Sequence, residues 1–197
     1  MARIILITGG SRSGKSGFAQ KLAESLAGGR IFIATCPLVD AEMAARVKKH
    51  QAARARLAWH TVEEPLDLAK AVGSAGKNDT LVIDCLTLWV NNVMREAEPE
   101  GRLVTEEQIA GLCRAVIQAC RKRGGTAVFV TNEVGMGIVP DNPLARRFRD
   151  LAGRCNQTIA AEADEVWFVV SGIPVKIKSS GGKNEPFEGN SGQDQTP

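Results

Sequence analysis

Short apolar runs alternate along this 197-residue chain with longer stretches in which apolar positions recur every three or four residues. The short runs are Ile4 to Thr8, Ile31 to Thr35, Thr80 to Asp84, Ala127 to Thr131 and Glu165 to Ser171. Each is near-continuous in apolar residues and bounded by polar residues or glycine, which predicts strands buried on both faces. The stretches between them carry helical spacing. Phe18, Leu22 and Leu26 predict a helix from Ser16 to Ala27, stopped by Gly28-Gly29. Asp40 to Arg56 lacks Gly and Pro and opens with the acids Asp40 and Glu42, and it too reads as a helix. A short helix is expected from Leu66 to Val72 and another from Leu86 to Met94. Thr105 offers an N-cap followed by Glu106 and Glu107, and Ile109, Leu112, Val116, Ile117 and Cys120 form the expected buried stripe. Leu144, Phe148, Leu151, Cys155 and Ile159 predict a long helix from Leu144 to Ala163. The segment 57–65 is ambiguous, although Trp59, Thr61 and Glu63 alternate as in a strand.

Strands alternating with helices imply an α/β, doubly wound, mostly parallel sheet, which binds ligands at the carboxyl edge of its strands. Residues 1–178 read as one domain. Residues 179–197 are Gly-, Ser- and polar-rich with little to bury, and read as a disordered tail.

The first strand runs directly into Gly9-Gly10-Ser11-Arg12-Ser13-Gly14-Lys15-Ser16, a match to G-x-x-x-x-G-K-[ST] between a strand and a helix. Backbone N–H groups of such a loop converge on one concavity, and the helix behind adds its positive end, so a polyphosphate is the expected ligand. Lys15 is placed to reach the β- and γ-phosphates, and the Ser16 hydroxyl to ligate Mg²⁺. Asp84, delivered by a strand to the same edge, is the candidate second Mg²⁺ residue, directly or through water; an acid at a helix N-cap is the alternative reading.

Composition narrows the function. With 44% hydrophobic and 24% charged residues the chain is globular in type, and no apolar run approaches the ~20 residues of a membrane span. A cytoplasmic location is expected. The five cysteines lack C-x-x-C spacing, which argues for reduced thiols over zinc or disulfides. A net charge of +3 without a basic block interleaved with aromatics makes nucleic acid a poor partner.

Two histidines occur, His50 and His60. On a helix His50 shares a face with Met43, Val47 and Arg54, so packing on an apolar stripe is one reading. The other starts from Arg46, Lys48, Lys49 and Arg54, a cationic surface that favours the neutral, nucleophilic imidazole and attracts a triphosphate. His60 has no partner at metal-ligand spacing and reads as structural. Glu63 and Glu64 are candidates for orienting a ribose or base edge, or are ordinary surface acids. The loop 132–143, at a strand's carboxyl end, is a functional candidate by position.

The motifs ITGGSRSGKS at 7–16, IATC at 33–36, EMAARVKKHQ at 42–51, W-x-T-x-E at 59–63, TNEVGMGIVPDNPLARRFRDLAGRCNQ at 131–157 and ADEVWFVVSGIPVKIK at 163–178 together resemble one family. It is the bifunctional adenosylcobinamide kinase/adenosylcobinamide-phosphate guanylyltransferase family of cobalamin biosynthesis. The resemblance implies a RecA-like P-loop NTPase domain and two reactions. ATP or GTP phosphorylates adenosylcobinamide, and GTP then donates GMP to that phosphate, giving adenosylcobinamide-GDP and pyrophosphate. It implies a guanylylated histidine, matched here by His50, with Lys15 as the other catalytic residue. It implies nucleotide binding by Gly9, Gly10, Ser11, Arg12, Ser13, Gly14, Lys15 and Ser16, by Ala34, Thr35 and Cys36, by Gln51, Ala52, Ala53 and Arg54, and by Glu63 and Asp84. Mg²⁺, a corrinoid substrate and a homotrimer are also implied. A P-loop kinase for another small hydroxyl substrate, with His50 structural, is the alternative.

Overall fold

The computed structural model describes residues 1–36 and 58–179. The helix expected over Asp40 to Arg56 and the tail beyond residue 179 lie outside the described residues.

Seven strands form one sheet: β1 (Arg3–Gly9), β2 (Arg30–Ala34), β3 (Trp59–Glu63), β4 (Thr80–Asp84), β5 (Thr126–Val130), β6 (Glu165–Val170) and β7 (Ile173–Ser179). Their order is β3-β2-β4-β5-β1-β6-β7. All neighbours run parallel except β6 and β7, which form an antiparallel hairpin at one edge. The helices are α1 (Lys15–Glu24), α2 (Leu68–Ser74), α3 (Leu86–Ala97), α4 (Glu106–Arg121) and α5 (Pro143–Glu162).

Side-chain alternation along the strands divides the core into two layers. Ile4 and Leu6 of β1, Leu81 and Ile83 of β4, and Ala127 and Phe129 of β5 face one side, packed with Leu68, Trp89, Ile109, Cys113, Leu151 and Ile159 from α2 to α5. Ile5, Ile7, Val82, Val128 and Val130 face the other side, with Ala19 and Ala23 of α1. Complete burial of a side chain such as Phe129 contributes about 1.5–3 kcal/mol relative to exposure. Because both faces of the central strands are covered, their sequences are continuously apolar rather than alternating.

The ambiguous segment is a strand. β3 pairs in parallel with β2, from Arg30 opposite Trp59 to Ala34 opposite Glu63, at the edge where mixed polarity is tolerated. Helix α4 begins with a reciprocal cap: Gln108 N donates to Thr105 Oγ1 at 3.2 Å, and Thr105 N donates to Gln108 Oε1 at 2.7 Å. Such a cap contributes about 1 kcal/mol.

Four details depart from the sequence pattern. Leu112 is 40% exposed, because the buried face of α4 runs through Ile109, Cys113, Val116, Ile117 and Cys120, and Leu112 lies outside that narrower stripe. Leu144 is also exposed, in the first turn of α5. On α1 the fully buried positions are Lys15, Ala19 and Ala23, with Phe18 and Leu22 only partly covered. Strand β7, including Ser179, extends the sheet beyond the five apolar runs, since its one-sided pattern of alternating Ile, Val and Lys gives no continuous apolar signal.

Candidate active site at the carboxyl edge

Sheet register brings together residues distant in sequence. Ala34 lies opposite both Glu63 of β3 and Asp84 of β4, Asp84 opposite Val130 of β5, and Val130 opposite Ile7 of β1. The ends of these strands therefore form one row, and the loop Gly9–Ser16 rises from it.

The loop's conformation requires its glycines at two points. Gly9 has φ +147°, and a Cβ there would lie 2.4 Å from the Val169 carbonyl oxygen. Gly14, at φ +98°, occupies the left-handed region as the residue preceding α1, where a side chain would be strained. Ser13 N donates to Gly10 O at 3.3 Å, and Gly172 N, from the β6–β7 turn, donates to Ser13 O at 2.9 Å. The loop is thus fastened on both sides. Gly10, Ser11, Arg12, Gly14 and Ser16 remain exposed around the concavity.

Lys15 is the first residue of α1 and only 7% exposed. Its Nζ donates to the Gly10 carbonyl at 2.6 Å and to Ser13 Oγ at 3.5 Å, so the ammonium lies across the loop. Burial lowers its pKa from the ordinary lysine value, and the charges of Asp84 and Cys85 act in the opposite direction. Asp84 is half-buried at the end of β4. Burial, reinforced by the Asp84 charge, pushes the neighbouring Cys85 thiol up to about 11, so that thiol is neutral near pH 7.

The other predicted residues occupy distinct environments. Thr35 is fully buried; its Oγ1 donates to Cys85 O and accepts from Cys85 N, each at 2.8 Å, while its carbonyl accepts from Asn92 Nδ2 at 2.8 Å. Its hydroxyl therefore locks the ends of β2 and β4 together. Ala34 is buried and Cys36 half-buried beside it, and Glu63 is exposed at the end of β3. His50 and Gln51, Ala52, Ala53 and Arg54 lie outside the described residues. His60 is exposed on β3.

The sequence pattern overlooked a polar network next to the loop. Thr8 Oγ1 donates to Glu133 Oε1 at 2.6 Å, and Asn156 Nδ2 donates to the same oxygen at 3.1 Å. Thr131 Oγ1 donates to Asn156 Oδ1 at 2.7 Å and lies 3.3 Å from Thr87 Oγ1, which accepts from Asn132 N at 2.9 Å. Four elements meet here: β1, β5, α3 and α5. The available signal was the Thr131-Asn132-Glu133 that directly follows β5, much as Asp84 closes β4.

Among the described residues no group of three or more His, Cys, Asp or Glu could hold a metal ion. The oxygen donors Ser16 and Asp84 suit Mg²⁺, which keeps several waters and takes phosphate oxygens as ligands.

The family described as cobinamide kinase / cobinamide phosphate guanyltransferase matches residues 5–177. The chain belongs to this family. It is 42% identical over 185 residues to the bifunctional adenosylcobalamin biosynthesis protein CobU of Escherichia coli strain K12, covering 89% of this chain and 99% of that protein. It is 45% identical to the protein of the same name from Salmonella typhimurium, again over 89% and 99% of the two chains. To the bifunctional protein CobP of Pseudomonas aeruginosa it is 38% identical, over 88% and 96%. Its activity is accordingly that of a cobinamide kinase and cobinamide phosphate guanylyltransferase of cobalamin biosynthesis. The fold is similar to the solved structure of a prototypical ATPase from the type III secretion system of pathogenic bacteria. The TM-score is 0.54 at 14% identity, over 84% of this chain and 50% of that one.

Proposed function

We propose that one phosphate loop, Gly9 to Ser16, serves both reactions, and that the second proceeds through a guanylylated His50. The observation that carries the proposal is the buried Lys15 ammonium lying across a glycine-shaped loop at the carboxyl edge. In the kinase step the loop amides and Lys15 hold the β- and γ-phosphates of ATP or GTP while the corrinoid hydroxyl attacks the γ-phosphorus in line. In the second reaction the His50 imidazole attacks the α-phosphorus of GTP, and Lys15 and the loop amides stabilise the departing pyrophosphate. The corrinoid phosphate then takes GMP from the histidine. Splitting one displacement into two lets a single clamp serve a γ-transfer and an α-transfer.

Ser16 and Asp84 would hold Mg²⁺, and Ala34, Thr35, Cys36, Gln51 to Arg54 and Glu63 are the remaining proposed nucleotide contacts. When bound, Mg²⁺ neutralises phosphate charge and orients the leaving oxygens. For the corrinoid, the exposed apolar side chains Met136, Ile138 and Val139 beyond β5 support docking on that loop. Assembly as a trimer is supported by the outer edge of β7, which pairs with no further strand among the described residues and where Ile173, Val175 and Ile177 are exposed. No helix among the described residues is long and apolar enough to cross a membrane, in keeping with the cytoplasmic location proposed.

Incubation with α-³²P-labelled GTP tests the intermediate. Acid-labile, base-stable label should form on the wild type and on His60→Ala, and be absent from His50→Ala. Label persisting in His50→Ala would refute the assignment.

A further inference from the structure

Phosphorylating a hydroxyl requires a group that orients it and receives its proton as the new P–O bond forms. Lys15 cannot do so while protonated, and Asp84 is committed to the Mg²⁺ role proposed above. The network beside the loop supplies a further carboxylate. Glu133 stands three residues beyond the end of β5, the strand between β1, which carries the loop, and β4, which carries Asp84. Its backbone N donates to Gly9 O at 3.1 Å, and its Oε1 accepts from Thr8 Oγ1 at 2.6 Å, so main chain and side chain are both tied to the stem of the loop. Asn156 Nδ2, from α5, adds a second bond to Oε1 at 3.1 Å, and Asn156 is itself held by Thr131.

This arrangement is one-sided. Both side-chain bonds converge on Oε1, whereas Oε2 has no hydrogen-bond partner among the described residues, and the Glu133 side chain is only half-buried. One oxygen fixes the carboxylate and the other is left unengaged by the described residues. A purely structural glutamate in a polar network is expected to engage both oxygens or to be replaceable by an amide. A base for an incoming hydroxyl needs this division between a fixed oxygen and an open one.

We propose that Glu133 is a catalytic residue of the kinase step, its Oε2 accepting the proton of the corrinoid hydroxyl. That hydroxyl oxygen bonds to the γ-phosphorus as the bond from the γ-phosphorus to the β,γ-bridging oxygen breaks. The nucleoside diphosphate leaves with that electron pair, and the proton resides on Glu133 until solvent removes it. Guanylylation of a neutral imidazole has no hydroxyl proton to remove, so Glu133 is dispensable there. The inference rests on the kinase reading of this site.

The experiment compares wild type, E133Q and E133D by three readouts: corrinoid phosphorylation from ATP or GTP, covalent labelling by α-³²P GTP, and thermal melting. The amide of E133Q keeps an oxygen for Thr8 and Asn156, so melting should stay near wild type. Phosphorylation turnover of E133Q should fall by roughly 10²–10⁴-fold, the usual contribution of a positioned base, while labelling stays within about twofold. E133D, with its carboxylate withdrawn by one methylene, should retain more turnover than E133Q. Unchanged turnover in E133Q, equal loss of phosphorylation and labelling, or E133D slower than E133Q would each overturn the proposal. A wild-type protein that labels but does not phosphorylate the corrinoid would instead remove the kinase reading on which it depends.

Discussion

At the amino end of the parallel strands, opposite charges meet in pairs: Arg3 with Glu165, Lys176 with Glu165 at 3.0 Å, and Arg121 with Asp164 at 2.9 Å. At the carboxyl end the bracing is made by hydroxyls and amides, Thr35, Thr87, Thr131, Asn132 and Asn156, with the charged groups Lys15, Asp84 and Glu133 set among them. The difference has a physical reason. A guanidinium placed to brace the carboxyl end would pair with Asp84 or Glu133 and compete with phosphate and metal for the same charges. Hydroxyl and amide donors hold the strand ends and the Glu133 carboxylate without neutralising the charges the reaction needs. The amino end has no such duty. There Asp164 can accept from Ile4 N at 2.7 Å and from Arg121 together, closing β1, α4 and the start of β6 into one corner.

The sharpest way to break this comparison is at Lys15. Lys15→Met keeps the buried stem and removes the charge, and both phosphorylation and GMP labelling should fall by roughly 10³-fold or more. Near-normal turnover in that variant, measured under saturating nucleotide, would show that the carboxyl end does not depend on the cation across its loop. A smaller effect is expected at the exposed loop beyond β5. Met136→Ala removes apolar contact area worth about 1–1.5 kcal/mol if the corrinoid covers it, so its KM should rise by roughly tenfold. Labelling by GTP should be unchanged; equal impairment of both would remove that loop from corrinoid binding.

The smallest effect on activity, and a measurable one on stability, is expected at the amino end. Asp164→Asn should leave both activities intact and destabilise the fold by about 1 kcal/mol, read from denaturant midpoints. Burial acts to raise the Asp164 carboxyl pKa, but hydrogen bonds from Arg121 and Ile4 N outweigh it and hold the pKa below the usual value. A carboxylate depressed in the folded state contributes stability that is present above its unfolded pKa, near 4, and is lost as pH falls through its folded value. The difference between wild type and Asp164→Asn should therefore be largest near neutrality and shrink on acidification below about pH 4. A constant difference across that range would show that the pair acts through packing alone.

Some of this molecule was legible along the chain because its signals are local. Continuous apolar runs marked β1, β2, β4, β5 and β6, and the Thr105 cap announced α4. The family motifs likewise identified the enzyme, since they consist of contiguous residues. Leu112 and Leu144 show where local pattern fails, because which flank of an amphipathic helix meets the sheet is set by the helix packed beside it. β3 and β7 were obscure for a related reason: an edge strand buries one face only, and its pairing partner does not enter its own sequence.

The phosphate loop was thus determined by sequence alone, because a strand, a glycine-shaped turn and a helix N-terminus lie within sixteen consecutive residues, and the family by the longer motifs that follow, above all that at 131–157. Tertiary structure decided what stands around that loop. The order β4-β5-β1 places Asp84 on one side of Glu133 and the loop on the other, and only the folded sheet aims Thr8 and Asn156, 148 residues apart, at one carboxylate oxygen. Pairing of strands separated by whole helices is a long-range property, and no pattern read along the chain contains it.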